Sequence, residues 1–161
     1  MAPGNVARNE EHFRGLGIWV VTGHQYLGGF IRDRDAERGW LQEKIRGWTE
    51  SVKLLAGVAY KHPQYAYAGL QNSLQQEWAF VQRVAPGVGD AFGPVEEAIK
   101  EIFVPALYEG LREGVMEQVT TRLSVKQAGL ALPDPTQTAP ENWTASCVIT
   151  GHLVAALRGQ V

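Results

Sequence analysis

The residues predict a mainly α fold with one short β-hairpin near the front of the chain. Three observations predict it. Leu41, Ile45, Trp48, Val52, Leu55 and Ala59 step by four, three, four, three and four, which keeps one helical face turned to a core. Prolines and glycines at His62-Pro63, Ala85-Pro86-Gly87-Val88-Gly89 and Pro94 cut the following stretch into helix-length pieces. The run Gly23-His24-Gln25-Tyr26-Leu27-Gly28-Gly29-Phe30-Ile31 carries turn residues flanked by apolar ones, a hairpin signal.

Taken in order, Ile18-Trp19-Val20-Val21 and the run after it read as two short strands joined at Thr22-Gly23. Tyr26-Leu27-Gly28-Gly29 then closes on a second apolar pair, Phe30-Ile31. Asp33 or Asp35 can cap a helix that begins near Arg34. Gly39 and Gly47 each weaken that helix by roughly 1 kcal/mol relative to alanine, so packing must hold it. Glu43, Arg46, Glu50 and Lys53 fall off its apolar stripe. A second helix from Pro63 places Tyr67, Leu70, Leu74, Trp78, Val81 and Val84 on one face. A third opens at Pro94 with Glu96 and Glu97 in its first turn, where the macrodipole favours acids. Its face holds Val95, Ile99, Ile102, Phe103, Ala106 and Leu107, and Pro105 is expected to bend its end. Gly110 to Gln118 has no pattern and is expected to be a mobile loop. Arg122 to Leu132 reads as a short hairpin or an extended docking segment, ended by Pro133-Asp134-Pro135. Thr138 or Pro140 then opens a final helix bearing Ala145, Ile149, His152, Leu153, Ala156 and Leu157. The expected division is an N-terminal segment, 1–32, and a helical domain, 33–161.

A chain of 161 residues suits one domain or one piece of a larger protein. Hydrophobic residues at 45% and charged residues at 20% fit a globular chain. The net charge of -2 argues against strong autonomous binding to nucleic acid, which needs clustered Lys and Arg. Cys147 is the lone cysteine, so no internal disulfide can form and an intracellular setting is expected. No apolar run approaches the ~20 residues of a membrane helix. Met1 to Asn5 lacks the apolar core of a signal peptide, so Asn142-Trp143-Thr144 is read as a chance match to a glycosylation acceptor.

The search for reactive constellations finds little. His12, His24, His62 and His152 sit far apart, at no metal-ligand spacing. Cys147 falls on an amphipathic helix, where a small buried side chain is expected rather than a nucleophile. No serine sits in a nucleophile elbow. Gly87-Val88-Gly89 lacks the lysine of a phosphate loop and reads as an interhelical turn. Asp33 and Asp35 have the charge to hold magnesium, but their place at a helix start favours capping. Among the five tryptophans, Trp48 and Trp78 centre on apolar stripes and belong to a core; Trp19 and Trp40 are less constrained.

Three stretches in order resemble a known family. They are Gly23 to Ile31; Trp48 to Pro86, with Trp48-Thr49-Glu50-Ser51, His62-Pro63-Gln64 and Trp78-Ala79-Phe80-Val81-Gln82-Arg83; and Leu123 to Pro135. Together they resemble the region downstream of the catalytic palm in retroelement reverse transcriptases, from roughly Phe13 to the end. Ser124, Ala128 and Ala131 stand where that family's third motif has proline and glycines.

The resemblance implies that the hairpin matches the primer grip and the helices the thumb, making 33–161 a thumb-like domain. Tyr26, Leu27, Gly28 and Gly29 would then meet the primer strand, and Arg46 and Lys53, seven residues apart, the duplex phosphates. An RNA-DNA or DNA duplex and the missing palm are the implied partners, and no membrane is. The sequence holds no Tyr-x-Asp-Asp motif. Catalysis by this chain alone is therefore not expected, no cofactor is expected in it, and magnesium would belong to the palm. The alternative is a helical protein-interaction module with no nucleic-acid role.

Overall fold

The computed structural model describes residues 11–21, 23–31, 33–108, 122, 124, 126 and 129–159. The chain is mainly helical with a two-stranded antiparallel hairpin near its N-terminus. It divides into two compact units, Met1–Leu41 and Gln42–Val161, and the division falls inside the first long helix.

In the first unit β1, His24–Tyr26, pairs with β2, Gly29–Ile31, so that Tyr26 lies opposite Gly29 and His24 opposite Ile31. The turn is therefore Leu27-Gly28, not Thr22-Gly23, and Ile18 to Val21 stands outside the pairing. The reason is backbone geometry. Leu27 and Gly28 have φ of 48° and 82°, and positive values at both central residues make the twist that a two-residue hairpin needs. Gly23 serves a different end, since a Cβ there would lie 2.7 Å from the Phe30 ring. Phe30 in turn packs against Trp40, ring centroids 6.0 Å apart.

Helix α1, Arg34–Ala59, starts as the sequence suggests. Asp33 is its cap: Oδ1 accepts from the amides of Asp35 at 3.0 Å and Ala36 at 3.3 Å. Leu41, Ile45, Trp48, Val52 and Ala59 are buried, Leu55 is half-buried, and Ala56 joins the stripe.

In the second unit α2, Pro63–Gly69, runs through a π turn at Leu70–Leu74 into α3, Gln75–Val84. Trp78, Val81, Gln82 and Ala85 share its inner face at i, i+3, i+4 and i+7, which turns Val84 outward against expectation. A short turn at Gly89–Phe92 leads to α4, Gly93–Ala98, then a π turn at Ile99–Phe103 and α5, Val104–Tyr108. In that π turn the Val104 amide reaches back to Ile99. The extra residue carries Ile102 off the stripe, so Phe103 fills the core and Ile102 is exposed. Pro105, which lacks an N–H, follows at once.

The core centres on Trp48. Its ring stacks on Phe92 at 5.8 Å and meets Trp78 edge-on at 6.3 Å. Its Nε1 donates to Glu77 Oε2 at 3.0 Å.

Helix α6, Pro135–Leu157, opens earlier than Thr138 or Pro140, because Asp134 caps it and Pro135 takes the first turn. Its first turns pack on α3 and on the Gly89–Phe92 turn. A Cβ at Gly89 would lie 2.9 Å from the Thr136 carbonyl, so glycine permits this approach. The face expected to enter the core does not. Ile149, Leu153 and Leu157 are exposed, because contact with the body is made upstream by Pro135, Ala139 and Asn142. Cys147 is exposed too, not buried. Among the described residues of 122–132 there is no strand. The Leu130 carbonyl instead accepts from Tyr67 Oη and Gln71 Nε2, and Leu132 is buried. The loop expected at Gly110 to Gln118 lies outside the described residues.

Candidate nucleic-acid interface

Two groups of side chains were singled out for contact with a duplex, and they lie in different compact units. In the first unit the hairpin presents Tyr26, 62% exposed, and Leu27, 79% exposed, at its turn. Gly28 supplies the larger positive φ of the turn, and Gly29 sits opposite Tyr26 in the ladder. An exposed leucine at positive φ is unusual, since its Cβ crowds the following carbonyl there.

In the second unit Arg46 and Lys53 are both exposed on α1. Seven residues apart, they stand about 10 Å from each other along the axis. Lys53 Nζ is engaged by Glu50 Oε1 at 2.7 Å, one helical turn away. A phosphate approaching Lys53 must therefore compete with a carboxylate, although exposed pairs of this kind hold by only about 0.5 kcal/mol.

Asp33 and Asp35 do not face a common point for a metal. Asp33 Oδ1 is turned to the α1 amides, and Asp35 pairs with Arg38 at 3.5 Å. His12, His24, His62 and His152 are exposed, and no group of three or more His, Cys, Asp or Glu among the described residues gathers as a metal site. Trp48 and Trp78 are core residues, as their spacing implies, while Trp19 is 92% exposed. No helix among the described residues is long and apolar enough to cross a membrane.

Two polar clusters went unforeseen. Gln82 is fully buried: its Nε2 donates to the Pro135 carbonyl at 2.8 Å, and its Oε1 accepts from Asn142 at 2.7 Å and Thr138 at 3.3 Å. It ties α3 to α6. The second cluster is Glu96, Arg122 and Asp134. The Arg122 guanidinium lies 3.0 Å from Glu96 Oε1 and 3.3 Å from Asp134 Oδ2. Burial pushes the Glu96 carboxyl above its ordinary value, and the nearby Asp134 charge adds to this; Arg122 opposes it. The Tyr67 phenol is also raised, first by burial and then by Tyr108. Glu96 was legible as a first-turn acid, but nothing in the local pattern joins it to residues 26 and 38 positions away.

No family model, curated protein or solved structure matches this chain. The fold and the site therefore rest on the residues themselves.

Proposed function

We propose that the chain is a non-catalytic fragment akin to the post-palm region of a retroelement reverse transcriptase, one that holds a template-primer duplex by its backbone. The observation that carries the reading is the hairpin turn. The turn needs a positive φ at residue 27, yet a solvent-facing leucine fills it where asparagine or glycine would do so with less strain, and strain kept at an exposed tip is a common mark of a contact site. The hairpin leads directly into the Asp33-capped helix that bears Arg46 and Lys53, the order that the resemblance requires.

The chemistry available is positioning. Tyr26 offers a ring and a hydroxyl to a nucleotide, the turn backbone approaches closely at Gly28, and Arg46 and Lys53 supply charge for two phosphates. With a net charge of -2 the grip is weak and salt-sensitive. A fluorescent RNA-DNA hybrid titrated at about 50 and 200 mM salt tests it. Binding should fall at the higher salt and fall again in the Arg46→Ala, Lys53→Ala variant. Salt-independent binding, or none at 50 mM, removes the duplex role.

A further inference from the structure

The net charge of -2 is unevenly spread along the chain. Between Glu50 and Glu77 there is no Asp or Glu, while Lys53, Lys61 and His62 fall in that stretch. With histidine neutral, two lysines and no acid make +2 there, which leaves -4 for the rest of the chain. The stretch covers the end of α1, the turn at Tyr60 to His62 and the whole of α2. This corner is also aromatic on its outside. Tyr60 is 59% exposed and Tyr65 78%. The His62 and Tyr65 rings stand 6.0 Å apart at 70°, a contact that narrows the rotamers of both. Lys61 is exposed and, unlike Lys53, has no ion-pair partner among the described residues.

We propose that the corner binds an unpaired stretch of nucleic acid, its bases stacked on Tyr60 and Tyr65 and its sugar-phosphate chain on Lys61. Both halves of the corner select this ligand. Every base has a π face that an exposed tyrosine can cover, whatever the sequence. The free amine beside the rings neutralises a phosphate, in a stretch with no acid of its own to compete. A duplex fits less well, because its bases are already stacked on one another and offer no face to a ring. A neutral protein partner could cover the rings and the exposed Leu54 and Val58 nearby, but it would leave the positive charge unanswered. DNA and RNA strands serve alike, since neither the rings nor the amine reads the sugar. With two rings and one unpaired amine the site is weak and sensitive to salt. It goes beyond the duplex grip, uses none of the residues assigned to it, and stands without that reading.

Fluorescence anisotropy of the full chain with labelled oligo(dT) and oligo(rU) of about a dozen nucleotides, at about 50 and 200 mM salt, should show binding of both that weakens with salt. Tyr65→Ala should lower the affinity about tenfold, and adding Tyr60→Ala should lower it further. Tyr65→Phe should bind like the parent, because stacking needs only the ring. Lys61→Gln should reduce the slope of log affinity against log salt by about 0.7, the share of one phosphate on a single strand. An unchanged urea midpoint separates lost binding from lost folding, and the salt dependence of the parent needs no substitution. No binding of either strand at 50 mM overturns the proposal and leaves the rings to a protein partner. Parent affinity in the double alanine variant, or Tyr65→Phe as weak as Tyr65→Ala, overturns it as well. A blunt RNA-DNA hybrid tells this site from the duplex grip. Its binding should survive the tyrosine substitutions; loss of the hybrid with the rings would give them to the duplex and sink the single-strand site. A hybrid that fails to bind while the single strands bind removes the grip and leaves this site standing.

Discussion

Leu27 holds a backbone conformation that asparagine or glycine adopts more easily, with its side chain in solvent. Placing a Cβ in this region costs about 1–2 kcal/mol, and asparagine offsets part of that by local hydrogen bonding. Leu27→Asn should therefore raise the protection of the hairpin amides at Tyr26 and Gly29 by about 1 kcal/mol in hydrogen exchange. Unchanged or lowered protection would show that the leucine is not strained. At Gln82 the balance runs the other way. Removing its amide leaves the buried Pro135 carbonyl and the half-buried Asn142 and Thr138 donors without their partner. Gln82→Ala should cost about 2–4 kcal/mol in urea unfolding, the sum of a cavity and unmet polar groups. A loss under about 1 kcal/mol would mean that water replaces the amide.

Among the elements, α1 was legible in full because its apolar residues keep the helical period and its cap is an adjacent aspartate. The outer half of α6 shows why the same logic can mislead. Its apolar residues are helically spaced, yet whether they meet a core depends on where the body ends, which no local pattern contains. Gln82 was hidden for a related reason: a polar residue on an apolar face reads as an outlier until its partners, 53 to 60 positions away, are in place. The residues proposed to meet a duplex were legible only as types and positions, and the Glu50 carboxylate on Lys53 follows from helical spacing alone. The link between α4 and the residues ahead of α6 carries its own pH dependence. Glu96 has a folded-state value above its ordinary 4.5, so the stability it contributes is full below that value and is lost as pH rises through the folded one. Glu96→Gln should flatten the stability profile across that window, from about 4.5 upward, in thermal unfolding measured at several pH values. An unchanged slope would assign the dependence to other carboxyls.

At the scale of the whole molecule, the two compact units have unequal means of support. The second unit encloses Trp48, Trp78, Phe92 and Phe103, each burying on the order of 150–250 Å² of aromatic surface. Among its described residues the first holds two strands of three residues and two ring pairs, Phe30 with Trp40 and His12 with Phe13. A lone two-stranded hairpin is marginal in water, and Leu16, Ile18, Trp19, Val21 and Ile31 remain exposed around this one. Stability should accordingly differ along the chain. Native-state hydrogen exchange should find the amides of β1 and β2 opening locally at low cost, while those of α1 near Val52 exchange only with global unfolding. The two sets should respond differently to denaturant, since local opening exposes little surface and global unfolding exposes most of it. A single common free energy and a common denaturant dependence for both sets would mean that the hairpin folds as part of the helical core. The grip proposed for Tyr26 and Leu27 would then draw on the rigidity of the whole body. With separate opening, binding of a duplex must also order the hairpin, and the affinity falls by that cost.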